Sequence, residues 1–347
     1  MSDAAGKRRF GPIGDTPPPK VLDDLLQPPR SWHRSRFGLD DEGFPNGGIW
    51  RFSPSDGAGR DLMIKRTGPE FLGGSHVWSL SAEPASPRWW GRESAFYSSD
   101  LARTGWPDGC RVPRSWIDDH DGQRDIWLEA VEGLPSSVEV CERAVRGLAY
   151  WQLAHRDEDP DWSATDWIAE HVGRYHLDNQ RTLAHPAWPC VLERGLDPML
   201  REFVGQRATE PADVRRRLAA FPQLLTHHDF HNNNLGTVDA DVVIFDWAYV
   251  GPGPIGHDVG HLAVTMEPMG VHDPAVTWQR LVSAYCEALI DAGWDGSLDL
   301  VRRSIAVSTQ LRLGWMIDEL LDHAGQLNDG QLTVASSTMT ALVRATG

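Results

Sequence analysis

Lysine is nearly absent from this chain of 347 residues: Lys7 and Lys20 stand near the start, then Lys65, and none follows. Arginine supplies almost all the positive charge, and the formal net charge is −16. That balance excludes sequence-nonspecific binding to nucleic acid, which needs a basic face to displace counterions. Cysteine is sparse as well. Cys110, Cys141, Cys190 and Cys286 show no Cys-x-x-Cys spacing, so neither a disulfide framework nor a zinc site is indicated, and reduced core thiols are expected. No run of about eighteen apolar residues is present, which excludes an ordinary transmembrane helix. The opening Met1 to Arg9 leads into no apolar segment of the secretory type. These absences point to a cytoplasmic protein whose partners are neither nucleic acid nor membrane.

The length is enough for two lobes or domains. Residues 1–30 carry Pro12, Pro17, Pro18, Pro19, Pro28 and Pro29 and read as a flexible arm. From 31 to 130, short β patterns alternate with turns around one helix. From 131 to 347 the pattern is mainly helical. Val138, Cys141, Val145, Leu148, Ala149 and Leu153 recur at three- and four-residue spacing, as an amphipathic helix requires. Asp161–His176, Pro189–Gln206, Ala212–Ala220, Val276–Ala292 and Leu298–Leu321 continue in that mode. The connection between Lys65 and Glu93 is long and holds Trp78, Trp89 and Trp90, so it reads either as a cap over the site or as an insertion folded back on the sheet. Most of the sixteen tryptophans are expected in packing roles.

The chemistry concentrates in Leu224-Leu225-Thr226-His227-His228-Asp229-Phe230-His231-Asn232-Asn233-Asn234-Leu235, followed by Val242-Val243-Ile244-Phe245-Asp246-Trp247. An apolar run delivers a His-x-Asp loop, an Asn follows five residues later, and a second hydrophobic strand ends in Asp. Magnesium takes oxygen ligands, usually one or two from the protein with the rest from phosphates and water. Asp246 and Asn234 supply such oxygens, and Asp229 is placed to orient an acceptor hydroxyl. Phosphoryl transfer asks for positioning and charge compensation more than for a strong base. Lys65, in the strand-like Arg60-Asp61-Leu62-Met63-Ile64-Lys65-Arg66, is a compact cation suited to phosphate contact.

These segments resemble the catalytic loop of the aminoglycoside phosphotransferase and choline kinase family, which reads His-Gly-Asp-x-His-x-x-Asn-Leu and then Ile-Asp-Trp. The resemblance implies an α+β, bilobal, protein-kinase-like fold: a small β-rich N-lobe with one key helix (31–130) and a larger, mainly helical C-lobe (131–347). It implies Asp229 as catalytic base, Asn234 and Asp246 as metal ligands, and His227 as a loop brace. Asp258, in Gly256-His257-Asp258-Val259-Gly260, would brace the loop from a following helix. Lys65 would hold phosphates and pair with Glu93. Apart from the resemblance, Gly47 and Gly48, in a stretch that does not match the protein-kinase Gly-x-Gly-x-x-Gly spacing, would allow close backbone approach to the phosphates. By the resemblance, backbone groups near Glu129 and Val131 would meet the adenine edge. The implied cofactors are ATP (or GTP) and Mg2+. The implied partner is a small-molecule hydroxyl substrate, with a cationic one favoured by the acidic charge; the chain would be a monomer or homodimer. Aminoglycosides and other antibiotics, sugars, nucleosides and amino alcohols all remain open as acceptors. Two departures from the family pattern are His228 for Gly and Asn232-Asn233 for Pro-Gly. A nucleotide-binding pseudokinase and a metal-dependent hydrolase remain as rivals.

Overall fold

A computed structural model describes residues 32–37, 49–55, 60–69, 80–120, 122–131, 137–168, 179–206, 216–266 and 273–347. The chain divides into two compact units, one made of Met1–Ala82 with Arg114–Ala130, the other of Glu83–Pro113 with Val131–Gly347. The expected arm (1–30), Gly47, Gly48 and Trp78 lie outside the described residues.

The first unit contains a five-stranded antiparallel sheet in the order β1-β2-β3-β6-β5, formed by β1 (Trp32–Phe37), β2 (Ile49–Pro54), β3 (Leu62–Thr67), β5 (Ser115–His120) and β6 (Gln123–Glu129). Alternation along β3 buries Leu62 and Ile64 beside Phe52 and Trp127, with Trp32 and Trp50 packed against them. That is the period-two pattern of a sheet with one face on a core. Across β3 and β6, Arg66 forks onto Asp125 at 2.7 and 2.6 Å. The planar guanidinium matches the carboxylate and fixes the register at this pair.

The second unit begins with α1 (Arg92–Ser98) and β4 (Cys110–Arg111) and holds the helices α2 (Val138–Ala154), α3 (Asn179–Leu183), α4 (Trp188–Glu193) and α5 (Pro198–Gln206). Strands β7 (Gln223–Thr226), β8 (Leu235–Val238), β9 (Asp241–Ile244) and β10 (Gly251–Pro254) come next. Helices α6 (His257–Thr265), α7 (Pro274–Asp291), α8 (Leu298–Asp322) and α9 (Asp329–Thr346) complete it. β10 pairs with β7, and β4-β9-β8 form a second small sheet.

The helix expected within residues 31–130 thus groups with the helical unit rather than with the β-rich one. Burial explains why. Arg92, Glu93, Ser94, Phe96 and Tyr97 are all buried. Phe96 stacks on Trp247 at 4.3 Å, and the Arg92 guanidinium donates to five carbonyls of that same unit. α2 follows the expected periodicity, with Cys141, Val145, Leu148 and Ala149 fully buried, and it is capped by Ser137. Gln152 on α2 donates to the Leu225 carbonyl and accepts from Tyr285 of α7, so it ties two helices to the strand that leads into the loop 227–234. α6 and α8 come so close that a Cβ on Gly260 would meet Thr309 N at 2.7 Å. The helix expected over Pro189–Gln206 is broken into α4 and α5 because Gly195 takes φ 99° and ends the first of them, a left-handed stop that glycine adopts freely. The terminal helix α9 opens with a reciprocal Asn328/Gln331 capping box.

Candidate active site

The geometry of the 227–234 loop lies within the second unit. β7 ends at Thr226 and the chain turns through His227–His231 into a single 3-10 turn at Asn232–Asn234, from which β8 starts. Asp258, in the first turn of α6, accepts the His227 N–H on Oδ2 and the His228 N–H on Oδ1, each at 2.9 Å. One carboxylate thereby fixes two successive peptides, a contact of the kind that the family resemblance implied. Burial pushes the Asp258 carboxyl up to about 7, while those two amides and Arg312 pull it back toward ionisation.

His227 holds the loop from inside. Its Nε2 is 2.9 Å from the Phe245 carbonyl and its Nδ1 accepts the Asp229 N–H. The ring therefore carries its proton on Nε2. Burial lowers its pKa to about 4 and keeps it neutral. The Phe245 N–H in turn donates to the Asn234 carbonyl at 3.0 Å. Residue 245 thus locks the end of β9 to both sides of the loop, immediately before Asp246.

Asp229 and Asn234 are in direct contact. The Asn234 amide nitrogen donates to the Asp229 carbonyl at 2.8 Å and to Asp229 Oδ2 at 3.2 Å. His231 Nδ1 accepts the Asn233 N–H, and its Nε2 lies 3.2 Å from the Asn234 amide nitrogen and 3.5 Å from Asp229 Oδ2. Burial raises the Asp229 carboxyl, but the hydrogen bond and charge of His231, with His227 and Arg312, outweigh it and hold the group at about 2. Asp229 is therefore ionised at neutral pH, with 29% of its side chain exposed. Asp246 follows β9 with φ 62°, a left-handed turn that aspartate tolerates better than most residues.

Trp247 is fully buried: it packs on Phe96 of α1 at 4.3 Å, on the His227 ring at 4.4 Å and on Trp151 of α2 at 4.8 Å. Arg92 reaches the Ala248 carbonyl at 3.3 Å. Helix α1 consequently buttresses the segment that carries Asp246, a role its sequence did not announce. The signal available was the i, i+4 spacing of Arg92 and Phe96, which puts them on one helical face.

The other expected residues are placed as follows. Lys65 is half-buried on β3, opposite Ile49 and Ile126, in the first unit. Glu93 is buried on α1 in the second unit. Glu129 ends β6, where its carboxylate accepts the Arg114 N–H at 2.8 Å and its own N–H donates to the Arg114 carbonyl. Val131 follows, half-buried. Among the described residues no group of three His, Cys, Asp or Glu side chains could hold a metal ion, and no helix is long and apolar enough to cross a membrane.

The model of the phosphotransferase enzyme family matches residues 115–297, from β5 through the 227–234 loop and the whole of α7 to the residue before α8. The chain belongs to that family. This phosphotransferase is similar in fold to an amicoumacin kinase solved in complex with AMP-PNP, Ca2+ and Ami (TM-score 0.53, 12% identity, 89% of this chain and 87% of that chain covered). It is likewise similar to an aminoglycoside phosphotransferase from Alicyclobacillus acidocaldarius (TM-score 0.53, 15% identity, 97% and 96% covered). A choline kinase from Cryptosporidium parvum superposes with TM-score 0.50 at 12% identity, covering 90% and 88%. No curated protein matches the chain in sequence. The α+β, protein-kinase-like fold and the small-molecule phosphotransferase class are thereby the ones the sequence pointed to.

Proposed function

We propose that this phosphotransferase carries the γ-phosphate of ATP or GTP, with Mg2+, to a hydroxyl of a small molecule, an aminoglycoside or other antibiotic being one candidate acceptor class. The supporting observation is the direct link between Asp229 and Asn234. With its nitrogen committed to Asp229, Asn234 has its Oδ1 end left as a neutral oxygen ligand, and Asp246 contributes a carboxylate. One amide oxygen and one carboxylate suit a hard ion that completes its shell with phosphates and water. Bound magnesium would neutralise charge on the transferring phosphoryl group.

Asp229, ionised and held by His231 and Asn234, accepts the hydrogen bond of the acceptor hydroxyl, points its oxygen at phosphorus and takes the proton late. Its low pKa suits orientation rather than strong-base chemistry. Lys65 would bind phosphate oxygens and be set by Glu93. Gly47 and Gly48 would approach the phosphates. At the adenine edge, Val131 would offer its N–H and Glu129 its carbonyl, since the Glu129 N–H is already donated. The chain passes from Asp246 into β10 within five residues, and β10 pairs with β7. That short return favours a small acceptor over a peptide. The formal charge of −16 favours a cationic one, which an amino alcohol would also satisfy. A cytoplasmic monomer or homodimer completes the reading.

The test is a screen of hydroxyl compounds for stimulated ADP release, with Asp229→Asn as control. A stimulated release that this variant loses supports the reading. An Asp229→Asn protein with full turnover refutes the role of Asp229, and nucleotide binding without any turnover favours a pseudokinase.

A further inference from the structure

His228 has φ 67°, a conformation that glycine enters freely and bulkier residues rarely. It stands where the family pattern carries glycine. Its backbone, its ring face and one ring nitrogen are held, while Nδ1 is buried without a hydrogen-bond partner. Its N–H donates to Asp258 Oδ1 at 2.9 Å and its carbonyl accepts from Arg312 Nη2 at 3.0 Å. Its ring lies nearly parallel to Trp167, with centroids 4.8 Å apart and planes at 14°, and its Nε2 is 3.2 Å from the Pro252 carbonyl. Room for the imidazole comes from Gly253, where a Cβ would meet His228 Cε1 at 2.7 Å. The Arg312 guanidinium also packs 5.3 Å from the Trp167 ring centroid. His228 is fully buried, which removes it from contact with an acceptor and leaves its conformation as what it contributes.

A left-handed residue 228 fixes the orientation of the next peptide, and Asp229 is that next residue. Relaxation of His228 to a right-handed backbone would swing the Asp229 carboxylate away from Asn234. Glycine would hold the turn without help; histidine needs the clamp. We infer that Trp167 and Arg312 are positioning residues that keep His228 left-handed and thereby aim Asp229, an inference resting on the role of Asp229 proposed above. Neither touches the reacting atoms. Trp167 comes from the segment after α2 and Arg312 from α8, so the clamp draws the catalytic loop against two distant parts of the chain.

The experiment is a double-mutant cycle of Trp167→Leu and His228→Gly, read in magnesium-dependent ATP hydrolysis with water as acceptor and in thermal unfolding. With His228 present, Trp167→Leu is expected to lower kcat about tenfold or more while changing KM for ATP less than about twofold. In the His228→Gly background the same substitution is expected to cost less than about twofold in kcat, and a smaller drop in Tm. Equal losses in both backgrounds overturn the inference, because Trp167 would then be ordinary packing. If Trp167→Leu does not fold, Arg312→Gln enters the same cycle with the same expectations. Asp229→Asn runs alongside: if it hydrolyses ATP like the parent protein, the role of Asp229 fails, whereas the Tm cycle still decides whether the clamp exists.

Discussion

Arg92 allows an unusual prediction: its conservative replacement should be worse than its apolar one. The residue is fully buried. Its five N–H donors meet the carbonyls of Trp162 (2.9 Å), Pro87 (2.9 Å), Ala248 (3.3 Å), Pro84 (2.9 Å) and Ser86 (2.5 Å). Burial lowers its pKa from 12.5 to about 10, which corresponds to roughly 3 kcal/mol against the charged form. Arg92→Met keeps the stem and removes the donors. The Ser86 carbonyl retains the Trp89 N–H, so four carbonyls lose their partner, at about 1 kcal/mol each or somewhat more. Removing the buried charge returns about 3 kcal/mol. The expected net loss is about 1–3 kcal/mol. Arg92→Lys retains the buried charge, which an ammonium tolerates less well, and offers three donors from one point where five in a plane are used. Its loss should exceed that of Met by about 1–2 kcal/mol, because the compact ammonium costs more to bury than the guanidinium and at least one of the four dependent carbonyls goes unmet. Urea unfolding of the two variants decides the matter. A lysine variant more stable than the methionine variant would refute the reasoning.

Further outcomes are expected from the same structure. The pKa values of His227 and His257 are lowered by burial to about 4 and about 3, so both are neutral in the folded state and bind protons on unfolding. Stability should therefore fall as pH drops from about 6.5 to about 3, at roughly 1.4 kcal/mol per residue per pH unit. Asp258, raised to about 7, works in the opposite sense between pH 4 and 7 and partly offsets this fall; Tm measured against pH with Asp258→Asn as comparison separates the two. Cys190 is exposed, while Cys110 and Cys141 are buried with pKa values pushed up to about 12, so an aromatic disulfide reagent should modify one thiol quickly in the native protein and the rest only in denaturant. Phe96→Ala should cost about 3–5 kcal/mol in urea unfolding, since both Phe96 and its stacking partner Trp247 are fully buried; a cost below about 1 kcal/mol would remove α1 as the support of the Asp246 segment.

The geometry of the 227–234 loop was legible in the sequence because its contacts are local. Asp229, Asn234 and His231 lie within six residues and fold onto one another through a single 3-10 turn. Asp258 was legible as a brace only through the family resemblance of its segment, since the amides it accepts belong to His227 and His228, 31 and 30 residues away. The long helices α2 and α7 followed from apolar periodicity, and α8 from its many apolar residues, which are not confined to one face. The allegiance of α1 was not legible, since its Arg92 acts through carbonyls of Pro84, Trp162 and Ala248, which no pattern of side chains encodes. The left-handed backbone at His228 was hidden for a related reason: it depends on Trp167, Gly253 and Arg312, far off in sequence. The break between α4 and α5 was readable at Gly195, and α9 at Asn328 and Gln331, had capping been weighed alongside hydrophobic spacing.

The central claim is a division of labour in which Asn234 and Asp246 bind the metal and Asp229 aims the acceptor. Titration of Mn2+, as a paramagnetic stand-in for magnesium, in the presence of ATP and followed by electron paramagnetic resonance, tests it most directly. The account predicts that Asp246→Asn and Asn234→Ala weaken metal binding about tenfold or more, equivalent to roughly 1.4 kcal/mol or more, while Asp229→Asn binds Mn2+ like the parent protein and loses turnover. Undiminished Mn2+ binding by Asp246→Asn would contradict it.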